Sequence, residues 1–265
     1  MGDPIAHSLS PLLHNAAFDV LGLDWASVAF AVEAGSTEAA LSGVRALGIV
    51  GLSVTMPHKE AAFAAVDDTT PVARRLGVVN CISRRGATLV GDSTDGEGFL
   101  AALRDATSFE PAARRCLVLG AGGAARAVTL ALAEAGAAEV VVVNRTTARA
   151  ETTAALAGRA GRVGSAADLA HADLIVQATP MGMDGAGSDE MVVDPEAVHA
   201  GQVVADLVYS PLETPFLALA KKQGATTVGG LGMLVHVAAL ALERWTGRTV
   251  PVEAMWAAAH EATRG

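Results

Sequence analysis

The stretch that most constrains this chain is CLVLGAGGAAR, Cys116 to Arg126. Cys116 to Leu119 is a short apolar run of the kind that forms a strand buried on both faces, and Ala124 to Leu132 carries an alanine-rich helical pattern. Between them stands G-x-G-x-x-A, with Gly120, Gly122 and Ala125 in the motif positions and Ala121, Gly123 and Ala124 filling the turn. The first glycine permits a tight turn, the second lets a pyrophosphate approach the backbone, and the small third residue lets helix and strand pack closely. The helix then points free N–H groups and its positive dipole end at that pyrophosphate. The expected fold class is therefore α/β, built on a Rossmann-like dinucleotide-binding unit.

A glycine pattern alone is a weak signal in a chain with 28 glycines, so the next strand matters. Glu139 to Val143 reads as that strand and ends in Asn144-Arg145-Thr146, where such folds read the adenosine ribose. An acidic residue there binds the 2′-hydroxyl of NAD, whereas an arginine accommodates the 2′-phosphate of NADP. Arg145, with Arg149 one helical turn on, offers two guanidiniums to one phosphate. The same spacing also suits two solvated arginines at a helix start.

The 265 residues allow two modest domains, and hydrophobic residues at 51% provide material for their cores. No apolar run approaches the roughly 20 residues of a membrane span. The chain shows no basic-then-apolar leader at its start, which reads as cytoplasmic. A net charge of −9 argues against a non-specific nucleic-acid surface. Cys81 and Cys116 both lie in apolar strand-like contexts, which argues against a disulfide framework or a cysteine metal site. His7, His14 and His58 fit no metal triad and read as structural or supporting groups, so no metal is expected.

Along the chain, Ser10-Pro11 reads as N-cap and first helical residue, with an apolar face running to Leu21 and Gly22 as the stop. Strands are expected at Trp25–Val32, Val50–Thr55, Val78–Ser83 and Thr88–Val90, and helices from Thr37 to Leu47 and just after Met56-Pro57-His58-Lys59. This alternation predicts a small parallel or mixed sheet of its own. Asp92-Ser93-Thr94-Asp95-Gly96 opens a further helix, leading by a polar link to the glycine-rich turn. Later strands are expected at Leu174–Ala178, Val203–Leu207 and Thr226–Val228, with a glycine-rich, mobile loop at Met181–Asp189. Helices at Met233–Trp245 and Val252–Ala262 close the chain.

Several separated motifs point the same way. PIAHSLSPLLHN, SVTMPHK, GVVN, GDSTDGEGF, GAGGAARA, NRT, QATPMGM, DLVYSPLETP and GLGML together resemble the shikimate dehydrogenase family in order and approximate spacing, over essentially the whole chain. The resemblance implies a smaller α/β substrate domain over residues 1–95, completed by the C-terminal helices of 230–265, and an NADP-binding domain over 96–229. It implies reversible reduction of 3-dehydroshikimate to shikimate with NADPH, in aromatic amino acid biosynthesis. The protein's partner is then a small molecule, acted on by a monomer or homodimer.

Position by position, the resemblance makes Lys59 and Asp95 the catalytic pair. A ketone being reduced needs a proton donor at the developing alkoxide, and an ammonium supplies charge and proton together. Read without the resemblance, Lys59 is a solvated lysine at a helix start and Asp95 a plain N-cap. Ser8, Ser10, Thr55, Lys59, Asn80 and Asp95 match positions that hold the ring substituents; short hydroxyl and amide groups suit a small polyhydroxylated ring because each can donate and accept. Tyr209 matches a position near the substrate carboxylate, although a tyrosine on an apolar strand also suits a core. Besides the glycine turn and the arginines, Thr179, Met181, Leu207, Gly230 and Met233 are implied on the cofactor side, and Met233 equally suits a helix core.

Two departures stand out. The family resemblance implies a glutamine on the helical turn after GLGML, where this chain has Val237, preceded by His236. That keeps a quinate/shikimate or an aminoshikimate dehydrogenase open as alternatives; a catalytically weak NADP-binding protein is the alternative from another class, and the intact Lys59 and Asp95 argue against it. The resemblance also implies a short apolar strand ahead of the first glycine, while the sequence begins Met1-Gly2: either the start is misassigned or trimmed, or the substrate-domain sheet is one strand short, and lower stability is the expectation.

Overall fold

A computed structural model describes residues 1–183 and 195–263. The chain divides into two compact units, Met1–Asp95 with Val235–Gly265, and Gly96–Leu234. The last six residues of the expected Met181–Asp189 loop, 184–189, lie outside the described residues.

The first unit opens with α1 (Ser10–Leu21) and α2 (Thr37–Ala46), followed by β1 (Gly51–Ser53), α3 (Lys59–Ala65), β2 (Asp68–Thr69), α4 (Pro71–Leu76), β3 (Cys81–Arg85) and β4 (Thr88–Asp92). Its sheet has the order β1-β3-β4-β2 and is mixed: β3 lies antiparallel to both β1 and β4, and β2 runs parallel to β4. Leu41, Leu52, Val54, Val79, Ile82 and Leu89 form the buried core beneath it. The two-residue β2 and the short α4 are not among the expected elements. Thr70-Pro71 signals the helix in hindsight, because the Thr70 hydroxyl accepts from Ala73 N at 3.3 Å and proline occupies the first helical position.

Two expectations for this unit need correction. Ser10 is not the N-cap of α1: that position falls to Leu9, and Ser10 is already helical, so the proline sits one position further in. Trp25–Val32 is not a strand. Among the described residues its only pairing of that kind is a parallel bridge from Ala31 to Gly2, with Gly2 N donating to Phe30 O and Val32 N donating to Gly2 O. A ladder needs a partner along its length, and here the partner spans a single residue. Trp25, Val28 and Phe30 leave apolar surface exposed there.

α5 (Asp95–Ala106) starts in the first unit and carries the chain into the second, through β5 (Arg115–Leu119), α6 (Gly123–Glu134), β6 (Glu139–Val143), α7 (Thr147–Ala155), β7 (Gly161–Val163), β8 (Leu174–Gln177), β9 (Val203–Asp206), α8 (Pro215–Lys222) and β10 (Thr226–Val228). The six strands are all parallel, in the order β10-β9-β8-β5-β6-β7. This is the doubly wound arrangement, with consecutive strands running outward in both directions from β5 and the reversal lying between β5 and β8. Leu117, Leu119, Val141, Ile175, Val204 and Phe216 belong to its core. The three-residue β7, with Arg162 and Val163 exposed, offered no apolar pattern to read. α8 is not among the expected helices, although Thr214-Pro215 repeats the Thr-Pro start, with the Thr214 hydroxyl accepting from Leu217 N.

α9 (Gly230–Thr246) begins in the second unit and returns the chain to the first, and α10 (Val252–Ala262) packs there against α1. The division falls inside α9, between Leu234 and Val235, rather than ahead of it at Gly230. Within the first unit the Arg244 guanidinium donates to Asp92 at 3.0 Å and the Trp245 indole donates to Ile82 O at 3.0 Å, tying α9 to the sheet. Trp245 fills the space above Gly51, where a Cβ would stand only 2.4 Å from the indole. Both cysteines are buried, and burial pushes each thiol up to about 12, leaving them inert packing groups.

Candidate functional site

In the first unit, Lys59 is the first residue of α3, and its carbonyl accepts from Val79 N at 3.0 Å. That bond ties the start of α3 to the segment entering β3. His58, just before it, is buried between Thr37 and the carbonyl of Val32, its ring nitrogens 2.9 and 2.7 Å from their oxygens. Both ring nitrogens are thus occupied in fixing this turn. Lys59 Nζ then donates to Asp95 Oδ2 at 2.6 Å, with side-chain exposures of 15% and 5%. Asp95 opens α5, and its other oxygen accepts from Asn80 Nδ2 at 2.7 Å.

Asn80 is fully engaged. Its amide nitrogen also donates to Thr94 Oγ1 at 3.0 Å and its carbonyl accepts from Thr94 N at 2.8 Å. The backbone beneath it is held on both sides, Asn80 N donating to Asp92 O and Asn80 O accepting from Val54 N. Asn80, Thr94 and Asp95 are all buried, so the carboxylate is held in one geometry, with Lys59 as its charged partner among the described residues. Of the remaining residues expected around the ring, Thr55 is exposed on the turn that leads into α3. Ser8 lies on the turn into α1 and Ser10 is the helix's first residue; Ser10 N donates to Ser8 Oγ at 3.4 Å. Val237 lies half-buried in the part of α9 that belongs to this unit. His14 is a buried core group, bonded to Ser27 and set edge-on to Trp245, and burial depresses its pKa to about 4.

In the second unit, the glycine turn caps β5 at the strand-order reversal. Gly120 has φ +115°, and a Cβ there would lie 3.0 Å from the carbonyl oxygen of Ala178, so both conformation and space demand glycine. Gly122 is the N-cap of α6 in extended conformation; a Cβ on it would meet nothing within 4 Å, and no side chain caps the helix. Gly122, Gly123 and Ala124 are part-exposed, while Ala125 is buried against the sheet. An open glycine, uncapped N–H groups and a positive helix end form a cradle that fits a pyrophosphate.

At the end of β6, Asn144 donates to Thr146 O at 3.1 Å, and Arg145 and Arg149 are both exposed about the start of α7. The first turn of α7 holds no acidic side chain. Arginine at the positive end of a helix is unfavourable by itself, and a dianionic phosphate there relieves both charges. These residues therefore fit NADP. Thr179 and Met181 lie on the turn after β8, and Leu207 and Tyr209 follow β9, with Tyr209 half-buried. Gly230 opens α9 with its N–H donating to Val208 O at 3.2 Å, and Met233, in the same first turn, is buried.

The family model described as "Shikimate dehydrogenase substrate binding domain" matches residues 1–82, "Shikimate / quinate 5-dehydrogenase" matches 103–205, and "Shikimate 5'-dehydrogenase C-terminal domain" matches 230–260. A protein of Methanopyrus kandleri named shikimate dehydrogenase (NADP(+)) is 45% identical over all of this chain and 94% of its own length. The chain belongs to the shikimate dehydrogenase family. A Moorella thermoacetica relative of the same name is 46% identical over 96% of this chain and 89% of its own length. The crystal structure of the Thermus thermophilus shikimate dehydrogenase with NADP(H) and shikimate superposes with a TM-score of 0.90 at 39% identity, covering 98% of this chain and 97% of that one.

Three polar residues with evident structural consequence went unsingled in the sequence: Thr94, Gln177 and Asp206. The last two are buried and end β8 and β9, paired in register across the sheet. Their signal was a polar residue closing each of two apolar strand patterns. Burial raises the Asp206 pKa to about 6, against the pull of bonds from Thr214 and Val208 N. Among the described residues no three or more His, Cys, Asp or Glu side chains are grouped to hold a metal, and no helix is long and apolar enough to cross a membrane.

Proposed function

We propose that this member of the family catalyses the NADP-dependent, reversible reduction of 3-dehydroshikimate to shikimate, with Lys59 and Asp95 as its catalytic pair. The observation that carries the reading is the Lys59–Asp95 contact at 2.6 Å, oriented by Asn80 and almost wholly removed from water. When bound, NADPH supplies the hydride to the carbonyl carbon. As that bond forms, the carbonyl electron pair moves onto oxygen, and Lys59 Nζ gives that oxygen a proton. Lys59 is left as an amine and regains its proton from water. Asp95 holds the ammonium in place before transfer and, being fixed by Asn80, does not need to reorient during it. In the oxidative direction the amine takes the hydroxyl proton.

Ser8, Ser10 and Thr55 offer hydroxyls to the ring. Asn80 acts chiefly through Asp95, since both of its amide hydrogens are committed to Thr94 and Asp95. Tyr209 faces the carboxylate end in this reading, and Val237 takes the place of a hydrogen-bonding glutamine. On the cofactor side, the Gly120–Ala125 turn receives the pyrophosphate, Asn144 to Thr146 with Arg149 the phosphorylated ribose, and Thr179, Met181, Leu207, Gly230 and Met233 the nicotinamide end. The setting this reading carries with it is a cytoplasmic biosynthetic enzyme, monomeric or homodimeric. The test is a panel of shikimate and quinate against NADP⁺ and NAD⁺. Fastest turnover with shikimate and NADP⁺ supports the reading; absence of turnover with every pair removes it.

A further inference from the structure

Two buried polar side chains of the second unit have no part in the mechanism above. Gln177 and Asp206 are the last residues of β8 and β9 and stand side by side in register. Gln177 is folded back onto the turn that follows it. Its Oε1 accepts from Thr179 N at 2.6 Å and from Thr179 Oγ1 at 2.7 Å, and its Nε2 donates to the carbonyls of Thr179 and Met181, each at 3.1 Å. Asp206 does the same for the next turn: Oδ1 accepts from Val208 N at 3.0 Å and Oδ2 from Thr214 Oγ1 at 2.7 Å. The two side chains meet, Gln177 Nε2 lying 3.5 Å from Asp206 Oδ1.

The turns they shape also touch each other and the start of α9. A Cβ on Gly182 would stand 3.5 Å from Thr214, and one on Gly230 would stand 2.4 Å from the carbonyl oxygen of Leu207. A change at Gln177 or Asp206 therefore reaches Thr179, Met181, Leu207 and the Gly230–Met233 turn together.

The sheet order says which part of a dinucleotide would feel this. The glycine turn follows β5, and Arg145 follows β6 on one side of it; β8 and β9 lie on the other side. A ligand whose pyrophosphate sits at the reversal and whose adenosine extends over β6 must extend its second nucleotide over the carboxyl ends of β8 and β9.

We propose that Gln177 and Asp206 are positioning residues for the nicotinamide nucleotide, holding the turns after β8 and β9 in the shape that receives it. This rests on the NADP reading above. Burying an amide and a carboxylate beneath two part-exposed turns carries a desolvation penalty that apolar side chains would avoid, and among the described residues their bonds go to those turns, to each other and to Thr214 at the start of α8. The inference separates the two halves of the cofactor, which gives it a selective test.

Calorimetric titration of the full-length chain would compare NADP⁺ with 2′-phosphoadenosine diphosphate ribose, the fragment lacking nicotinamide, for the parent and Gln177→Met. Loss of the four hydrogen bonds from Gln177 to the turn is expected to weaken NADP⁺ about tenfold and to leave the fragment within about twofold. Thr214→Val, which withdraws the hydroxyl from Asp206, is expected to give the same selectivity at smaller size, and serves if Gln177→Met fails to fold. Equal weakening of both ligands, or of neither, in the folded variants overturns the positioning role while leaving the NADP reading intact. A parent chain that binds neither ligand overturns that reading, and this inference with it.

Discussion

Removing the Asp95 carboxylate separates what the Lys59–Asp95 pair does for stability from what it does for catalysis. At 2.6 Å and an effective dielectric of about 20, the gross attraction is about 6 kcal/mol. Desolvating the two ions takes back several kcal/mol each, so the intact pair contributes little net stability. Breaking it is another matter. Asp95→Asn leaves the ammonium without a counter-charge, and because Lys59 keeps 15% exposure the loss falls at the low end of the usual range, about 3 kcal/mol. Lys59→Met strands a carboxylate at 5% exposure and is expected to lose about 3–5 kcal/mol. The double variant carries neither charge and should return to within about 1 kcal/mol of the parent. Its activity should not return if Lys59 is the proton donor as proposed. All three tryptophans, Trp25, Trp245 and Trp256, belong to the same unit as the pair, so fluorescence-monitored urea unfolding reads that unit alone. Additive losses in the double variant, or recovery of kcat alongside stability, would refute the reasoning.

Three further outcomes are expected. Arg145→Ala should weaken NADP⁺ by about 1.5–3 kcal/mol, the size of a charged hydrogen bond, and barely affect NAD⁺; equal losses in KM for the two cofactors would remove its phosphate role. Asp206 titrates near pH 6 when folded but near the ordinary carboxylate value when unfolded, so its contribution to stability is greatest at low pH and is lost as pH rises from about 4 to 6. The stability of Asp206→Asn relative to the parent should accordingly increase between pH 4 and 7, by on the order of 3 kcal/mol, and a flat or inverted difference in urea midpoints contradicts this. Val237→Gln should raise kcat/KM for shikimate about three- to tenfold by supplying one hydrogen bond, whereas a fall would show that valine there is matched to a different ring substituent.

The doubly wound unit was largely legible because its information is local. A buried strand, a glycine turn and a small-residue helix follow one another from Cys116 to Leu132, and parallel strands buried on both faces read as unbroken apolar runs. β7 was not legible, being three residues at a sheet edge with two of them exposed. Trp25–Val32 shows the reverse error: its pattern suits a strand, but a strand exists only through its partner, and one bridge to Gly2 does not make a ladder. The Lys59–Asp95 pair could be named from motifs, yet the pair itself spans 36 residues and its geometry depends on Asn80, Thr94 and the Lys59 carbonyl bond to Val79, contacts that no spacing rule contains. Gln177 and Asp206 were hidden for the same reason. Each is one polar residue after an apolar run, and its meaning lies in the turn it folds back upon.

The most direct test of the central claim is the steady-state reduction of 3-dehydroshikimate by NADPH, comparing Lys59→Met with the parent. Loss of the proton donor should lower kcat by about 10²–10⁴ while the NADPH KM stays within a few-fold, since Lys59 belongs to the other unit from the cofactor cradle. A Lys59→Met enzyme with the parent's kcat would contradict the account.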